Sequence, residues 1–414
     1  MSEPYNVFVG IDWGQESHQV SVSDKKGDLL GERSVPHRGD ALGELSDWLL
    51  TFADGDVSSI AVALEVPRGP IVDTLLERGY HVFAINPKQL DRFRDRYSVA
   101  GAKDDRRDAR VLGSAVRTDP KAFRALTIDD PLTIQLREYS RHDVELGEDF
   151  QRAANRLRDL LVRTWPEVLK LSSAADEPWL WGLLALSASP DEMRTIRPAR
   201  IRQLLREYRI RRLTVEDVLA VVRSPTVRLA PGVREGVRVR INDLIAQLQI
   251  LHAQRRQAER LLATTLEAMT ARPTDIHREH HDAAILQSLP GVGIRIAATM
   301  LAEAAQPLRD RDYHALRTLG GCAPVTKRSG KSHMVCMRTA CQRRLRSAFH
   351  WWAERSVREE DRSRAHYRRL RQRGHNHARA LRSVSDRLLA MLIAMLKAGT
   401  LYDADRRALV APPA

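Results

Sequence analysis

Residues 6–35 read NVFVGIDWGQESHQVSVSDKKGDLLGERSV, and this segment settles the architecture of the N-terminal part of the chain. The apolar run from Val7 to Ile11 has the period-two pattern of a strand, and Asp12 follows at its end. Because both faces of this strand are apolar, we expect it to be buried at the centre of a sheet. Two further apolar runs, Gln19–Ser23 and Leu29–Val35, are separated by a turn-rich segment. The pattern predicts a three-stranded meander with Asp12 at its rim.

A second strand that ends in an acid follows a predicted helix over Asp40–Ala53. This strand covers Ser58–Glu65, and after it come a helical segment, Ile71–Arg78, and a further strand, Tyr80–Asn86. The β-α-β order predicts that the two strands lie side by side and parallel. Such a sheet indicates an α/β ribonuclease H-like fold, which metal-dependent nucleases share with sugar kinases of the actin type.

Acids also begin a predicted helix over Lys103–Arg117, which follows a polar, basic bridge over Asp91–Ala100. Asp105 and Asp108 are three residues apart, and Asp104 and Asp108 are four apart. Both spacings place the pair on one face of a helix, so spacing alone does not choose between Asp104 and Asp105.

Carboxylates are thus expected at two strand ends and one helix start. If Asp12, Glu65 and the aspartate pair lie at one edge of the sheet, they supply hard oxygen ligands for two Mg²⁺ ions. Two such ions can clamp the attacking and leaving oxygens of a phosphodiester. Without bound cations the acids would repel each other, so the cluster predicts a metal site.

The composition indicates a basic protein without a membrane segment. Lys and Arg total 67 against 53 Asp and Glu, a formal charge of +14 that favours polyanionic partners such as nucleic acid. The sequence lacks a long apolar run and a signal peptide, which predicts a cytoplasmic location. The three cysteines, Cys322, Cys336 and Cys341, form no paired zinc motif with His333, and we expect buried free thiols in a reducing compartment.

Two long amphipathic helices are predicted in the middle of the chain, Leu132–Trp165 and Val233–Met269. Their remaining faces are densely charged, as expected for an antiparallel hairpin or an intersubunit coiled coil. Residues 172–231 between them are interrupted by prolines and contain short helices such as Ala199–Tyr208. We interpret this segment as an inserted helical subdomain.

A helix-hairpin-helix pattern follows at Leu286–Ala302, which reads LQSLPGVGIRIAATMLA. Gly291 and Gly293 in its turn would expose backbone N–H groups that can hold a phosphate. From Arg338 to Leu396 two or three arginine-rich helices follow, and we favour a core position over base stacking for their Trp351–Trp352 pair.

A glycine-rich basic segment, Thr318–Ser332, lies between these two parts and reads TLGGCAPVTKRSGKS. We predict a loop in which Lys327, Arg328 and Lys331 surround Ser329 with positive charge. The serine hydroxyl is suited either to a simple phosphate contact or to attack on a phosphodiester whose developing charge the cations stabilise.

Over nearly its whole length the chain resembles the DEDD-type transposases, or recombinases, of bacterial insertion sequences that are guided by a bridge RNA. GIDWGQESHQVSV is similar to the family's first strand with its acid at Asp12, and Glu65 is similar to the second acid. The family's Lys-x-Asp-x-x-Asp-Ala helix matches Asp105 and Asp108, which favours Asp105 over Asp104.

The C-terminal segments LPGVG and GGCAPVTKRSGKS resemble the family's transposase domain. There a serine beside a glycine is the nucleophile that becomes joined to DNA, and Ser329 is the match, with Ser332 as the fallback. The resemblance implies cutting and rejoining of DNA, with Mg²⁺ on the four acids. It also implies donor and target DNA, a bridge RNA, and a dimer or tetramer in which one subunit's metal-binding domain faces another's Ser329.

Three domains are predicted on this basis. They are a ribonuclease H-like domain at 1–125, a helical coiled-coil domain at 126–275, and a mainly α-helical C-terminal domain at 276–405. Two alternatives stay open. An actin-type sugar or acyl kinase would need a later glycine-rich adenosine-binding segment, which we do not find. An architectural DNA-binding protein would leave the acids unexplained.

Overall fold

A mixed six-stranded sheet organises the first of two units, into which the chain divides between Asp129 and Asp130. The computed structural model describes residues 5–96, 104–271, 281–330 and 332–405. The strands are β1 (Val7–Asp12), β2 (Ser17–Asp24), β3 (Leu29–Pro36), β4 (Ile60–Leu64), β5 (His81–Ala84) and β6 (Arg124–Ala125). The helices of this unit are α1 (Gly39–Leu50), α2 (Pro70–Glu77), α3 (Pro87–Arg94) and α4 (Asp105–Thr118).

The strand order is β3-β2-β1-β4-β5-β6. The predicted meander is confirmed, because β1 and β2 pair antiparallel and so do β2 and β3. The parallel arrangement predicted for the β-α-β unit is also confirmed, since β4 pairs in parallel with both β1 and β5. The N-terminal part is therefore a mixed α/β domain, as a ribonuclease H-like fold requires.

The predicted polar bridge over Asp91–Ala100 is wrong in its first part, because α3 continues as a helix to Arg94. Pro87 occupies the first turn, and the Asn86 side chain accepts a hydrogen bond from the backbone N–H of Lys88. Asparagine at the N-cap followed by proline is a strong helix start, and it outweighs the polar composition of the segment. Residues 97–100 lie outside the described part of the chain.

The second unit is largely helical. Its helices are α5 (Pro131–Thr164), α6 (Pro178–Leu186), α7 (Pro190–Met193), α8 (Pro198–Glu207), α9 (Val215–Val222), α10 (Pro231–Thr270), α11 (Asp282–Ser288), α12 (Ile294–Glu303), α13 (Ala305–Arg309), α14 (Tyr313–Leu319), α15 (Arg343–Glu359), α16 (Asp361–Gln372) and α17 (His377–Ala398). Two short strands, β7 (Val325–Ser329) and β8 (Ser332–Cys336), form a separate antiparallel hairpin. Within the described ranges, every helix is too short or too polar to cross a lipid bilayer.

The two long helices, α5 and α10, pack against each other in an antiparallel sense. Leu136 near the start of α5 shares a core with Leu262 and Leu266 near the end of α10. Farther along, the ring of Phe150 lies against His252. The predicted helical hairpin is thus present within one chain, whereas an intersubunit coiled coil stays a prediction.

The described residues of this unit form two apolar cores. One joins α5 and α10 to helices α6–α9, including the fully buried Trp165, Trp179 and Trp181. The segment 172–231 therefore shares its core with the long helices. The other core joins the opposite ends of α5 and α10 to α11, α12, α15 and α17. The predicted middle and C-terminal domains fall within one compact unit.

Candidate active site

Asp12 and Glu65 lie at the same edge of the sheet because β1 and β4 run parallel in register. Ile11 is paired with Leu64, so Asp12 and Glu65 are the next residues of the two strands. Side chains alternate between the faces of a sheet. Ile11 and Leu64 pack in the core on one face, and the two acids are therefore directed to the other.

Helix α4 covers that other face and runs antiparallel to β1. A Cβ atom on Gly10 would lie 1.8 Å from the Ala109 carbonyl oxygen. A Cβ atom on Gly113 would lie 3.1 Å from the Gly10 nitrogen and 3.6 Å from the Phe8 oxygen. Along α4 the chain runs from Ala109, beside Gly10, to Gly113, beside Phe8, whereas along β1 it runs from Phe8 to Asp12. The first turn of α4 therefore lies at the acid-bearing edge. This contact explains why a glycine interrupts the apolar pattern of β1.

The two candidate acids in the first turn of α4 differ from their neighbour Asp104. The side chain of Asp104 caps the helix by accepting a hydrogen bond from the backbone N–H of Arg106 at 3.2 Å. Asp105 is exposed, whereas Asp108 is only 1% exposed. Asp104 thus has a capping role at the start of α4, and Asp105 and Asp108 stay the predicted ligand pair. Lys103, the predicted start of the helix, lies outside the described residues.

Arg94 holds the carboxylate of Asp108. Its Nε and Nη2 atoms each donate to one Asp108 oxygen at 2.6 Å, and its Nη1 atom donates to Asp91 at 2.7 Å. Burial lowers the pKa of Arg94, but the hydrogen bonds to Asp108 and the charges of Asp108, Asp91 and Glu65 outweigh burial and raise it. Glu65 is thus close enough to act electrostatically on the same guanidinium.

These acids have the chemistry of a divalent-metal site, but their side chains are not gathered around one point. Among the described residues, no three acids, histidines or cysteines are close enough to hold one ion. The reason at Asp108 is that both oxygens accept hydrogen bonds from Arg94. Carboxylate oxygens are the ligands that Mg²⁺ prefers, so the donor set fits a hard cation once Arg94 releases Asp108.

The sequence does not reveal the role of Arg94. It is fourteen residues from Asp108, beyond any helical spacing, and the pair forms only because α3 and α4 pack together.

A second unpredicted group is an imidazole pair near β1, in which His18 Nε2 lies 2.8 Å from His37 Nδ1. Burial, followed by the charge of His37, lowers the pKa of His18. Only the pairing of β2 with β3 brings these residues together.

The second candidate site is the β7–β8 hairpin, which corrects the predicted loop over Thr318–Ser332. Gly330, with φ +54°, begins the turn, and Ser329 is paired directly with Ser332 across it. β-Branched residues in both strands favour extended backbone and outweigh the glycine-rich composition. The described hairpin residues from Thr326 to Val335 are all exposed. Both candidate nucleophiles are therefore accessible at the tip.

The hairpin divides the predicted cations between two faces. Residues that alternate along a strand share a face with their cross-strand partners. Lys327, paired with Met334, is on the face of Ser329, whereas Arg328, paired with His333, is on the opposite face. Lys331 lies outside the described residues. Of the two described cations of the hairpin, Lys327 is the one on the same face as Ser329.

Cys322, one of three cysteines near the hairpin, does not compete with the serines as a nucleophile at neutral pH. All three thiols are free and partly buried. Burial, followed by the charge of Asp386, raises the pKa of Cys322 to about 12. A thiol with this pKa stays protonated at neutral pH, and the thiolate is the reactive form.

Helices α11 and α12 are joined by the predicted tight turn, and its two glycines differ. Gly291 has φ +79°, and a Cβ atom there would lie 2.8 Å from the Ser356 nitrogen on α15. The Pro290 carbonyl accepts hydrogen bonds from Trp352 Nε1 at 3.0 Å and Ser356 Oγ at 2.9 Å. Gly293, which precedes α12, is exposed and has open space around it. Gly293 is therefore the one suited to a phosphate, and phosphate binding there stays a prediction.

The mixed six-stranded sheet and its acid-bearing edge are those of a ribonuclease H-like domain, the class to which metal-dependent nucleases belong together with actin-type kinases. Residues 9–166 match the family DEDD_Tnp_IS110, described as a transposase. Residues 283–368 match a second family, described as transposases of the IS116/IS110/IS902 family. The name of the first family refers to four acids and indicates the use of a divalent metal.

Individual relatives agree with these matches. The chain is 32% identical over 410 residues, 97% of this chain and 96% of the relative, to a Streptomyces coelicolor protein named as a mini-circle transposase for IS117. It is 28% identical over 97% of its length, and 96% of the relative, to the S. coelicolor insertion element IS110 43.6 kDa protein. It is 44% identical over 243 residues, 58% of this chain and 66% of the relative, to the Sinorhizobium fredii protein y4uE, named as a transposase. The chain belongs to the IS110 family of transposases and is a DNA transposase, or recombinase.

Proposed function

We propose that this transposase cuts and rejoins DNA strands with Mg²⁺ held by Asp12, Glu65, Asp105 and Asp108, and with Ser329 as the covalent nucleophile. The observation that carries the proposal is the convergence of β1, β4 and the first turn of α4 at one edge of the sheet. Family membership counts against the kinase and the architectural alternatives. Bound Mg²⁺ would supply positive charge at the oxygens of the scissile phosphodiester.

In the proposed chemistry, Ser329 Oγ loses its proton and attacks phosphorus as the bond from phosphorus to one deoxyribose oxygen breaks. The sugar oxygen leaves as a hydroxyl after taking up a proton, and the DNA strand stays joined to Ser329 as a phosphodiester. Attack by the hydroxyl of another strand reverses these steps and restores the serine. Lys327, on the same face of the hairpin, would stabilise the charge that develops on the phosphate oxygens.

The partners proposed for this reaction are donor DNA, target DNA and a bridge RNA that selects the sites by base pairing, within a homodimer or homotetramer. The excess of basic residues supports polyanionic partners in general. Sequencing the nucleic acid that copurifies with the protein from its native host tests whether the protein binds a guide RNA. A discrete transcript from beside the element is expected, and random fragments would count against RNA guidance.

The matched pair Ser329→Ala and Ser332→Ala tests the nucleophile. These serines are cross-strand partners at the same exposed tip, so both substitutions disturb the fold equally little. With substrate DNA and Mg²⁺, we expect the covalent protein–DNA species to disappear in Ser329→Ala and to persist in Ser332→Ala, while both bind DNA. The reverse pattern would assign the nucleophile to Ser332, and persistence in both would remove serine from the mechanism.

A further inference from the structure

A seam between α16 and α17 carries a row of arginines around one histidine. The row on α16 has intervals of four, three and four residues, which align side chains on one face of a helix. Its members are Arg362, His366 and Arg369 on the helix and Arg373, which directly follows its last residue. From α17, Ser383 and Arg387 reach the same histidine. A depression at the seam is lined by Arg362, His366 and Arg387, among others.

His366 acts as a hydrogen-bond acceptor for two cations. Its Nδ1 atom lies 2.9 Å from Arg369 Nη2 and 3.1 Å from Arg387 Nη1. A guanidinium can only donate, so Nδ1 is unprotonated and Nε2 carries the proton, which it donates to Ser383 Oγ at 3.1 Å. Burial, and then the charges of Arg387, Arg369 and Arg373, lower the pKa of His366 to about 4. The neutral ring therefore orients two guanidinium groups without neutralising them.

The carboxylates of these helices do not compensate this charge. Each helix contains one acid. Asp361 on α16 is paired with Arg364 at 2.6 Å, and Asp386 on α17 is held by Arg317 Nη2 at 2.6 Å. Within the described residues, Arg362, Arg369 and Arg373 have no ion pair. A solvated surface would not require a neutral histidine to hold cations together, whereas an anion-binding surface benefits from that order.

We propose that the α16–α17 seam binds the phosphodiester backbone of the DNA substrate, with Arg369 and Arg387 positioned by His366 on one phosphate. The proposal rests on the assignment of the chain to a DNA transposase family and not on the chemistry of Ser329. Arg362 and Arg373 are separated by about 16 Å along the helix axis. Because phosphates of one DNA strand follow each other at about 3.4 Å along the duplex axis, the row can contact several of them.

The experiment measures binding of the full-length protein to a duplex DNA over a series of salt concentrations. In Arg369→Gln and Arg387→Gln we expect the slope of log K against log salt to fall by about one each. In His366→Ala we expect weaker binding with an unchanged slope, since no charge is lost. The control is Arg358→Gln on α15, where the arginine is exposed and already paired with Glu354, and its slope should equal that of the wild type.

Two outcomes would overturn the proposal. One is a slope in Arg369→Gln that is the same as in Arg358→Gln, with both variants folded by circular dichroism. The other is a slope that falls for a matched RNA duplex but not for DNA, which would assign the seam to RNA. The proposal is separable from that for Ser329, because Ser329→Ala should keep the wild-type slope even though it forms no covalent species.

Discussion

Arg94 and Arg110 both hold a carboxylate with two nitrogens, but only one of these carboxylates is fully buried. The side chain of Asp108, held by Arg94, is 2% exposed, whereas that of Glu32, held by Arg110, is 22% exposed. We expect Arg94→Gln to reduce the free energy of unfolding by about 3 kcal/mol, because a buried charge is left unpaired. The matched Arg110→Gln should cost less than about 1 kcal/mol, since exposed pairs contribute little.

Urea unfolding of the two arginine variants, with and without Mg²⁺, checks this expectation. If Arg94 and the metal compete for Asp108, added Mg²⁺ should stabilise Arg94→Gln more than it stabilises the wild type. Equal destabilisation of both variants would show that burial of Asp108 carries no special cost. An equal response to Mg²⁺ would remove Asp108 from the metal site.

Of the two adjacent tryptophans of α15, one is buried and the other is exposed. Trp352 is 0% exposed and donates to the Pro290 carbonyl, whereas Trp351 is 57% exposed. We expect Trp352→Ala to lower the free energy of unfolding by about 3–5 kcal/mol through the cavity that it leaves. Trp351→Ala should change it by about 0.5 kcal/mol or less. Chemical denaturation of both variants measures the difference, and comparable losses would contradict the core position of Trp352.

At the scale of elements, the contact between β1 and α4 positions the acids. Gly10→Ala would place a Cβ atom 1.8 Å from the backbone of Ala109, so strand and helix must separate. We expect this variant to lose several kcal/mol of stability and its binding of Mg²⁺. Gly39→Ala on α1, with nothing within 4 Å, is the control and should be nearly neutral. If Gly10→Ala binds Mg²⁺ normally, the positions of the acids do not depend on the packing of β1 against α4.

The α16–α17 seam should make stability depend on pH. The ordinary pKa of His366 is 6.5, and the folded protein lowers it to about 4 through burial and the charges of Arg387, Arg369 and Arg373. As the pH falls, His366 of the unfolded chain is protonated before His366 of the folded protein, and this favours unfolding. The contribution of neutral His366 to stability is therefore complete above pH 6.5 and is lost as the pH falls toward 4. His366→Gln keeps an acceptor but cannot titrate.

Urea unfolding at pH 7, 5.5 and 4 checks the effect of His366, because other titrating groups cancel in the comparison of the two proteins. We expect the wild type to lose more stability than His366→Gln over this range. Parallel losses in the two proteins would mean that His366 does not titrate in this window.

The sequence predicts elements where a pattern is local, and it fails where partners meet in space. The period of two in β1 predicted a buried strand with Asp12 at its end, and the structure has both. Nothing local marks Arg94 as the partner of Asp108, because α3 and α4 must first pack. The glycines of Thr318–Ser332 predicted a loop, whereas alternation around Gly330 produced a hairpin. Family resemblance favoured Asp105 over Asp104, and this choice stays a prediction beside the observation that Asp104 caps α4.

At the scale of the whole molecule, metal binding and DNA binding should be separable. The acids lie in the unit that ends at Asp129, and the arginine seam lies in the unit that begins at Asp130. We expect Asp12→Ala to abolish the increase in melting temperature caused by Mg²⁺ while DNA affinity without metal is unchanged. Asp47→Ala, which removes an exposed acid paired with Arg78, should keep the response to Mg²⁺. Loss of DNA affinity in Asp12→Ala alone would contradict this division.

The β7–β8 hairpin, which carries Ser329 at its tip, has a length that would amplify a small rotation at its base. Five residues of extended chain place its tip about 17 Å from its base. A hinge rotation of about 30° at that base would sweep the tip through an arc of about 9 Å, whereas the same rotation moves residues near the base very little. If Ser329 is the nucleophile, as proposed, a rotation of this size would be enough to carry its hydroxyl from one DNA strand toward another.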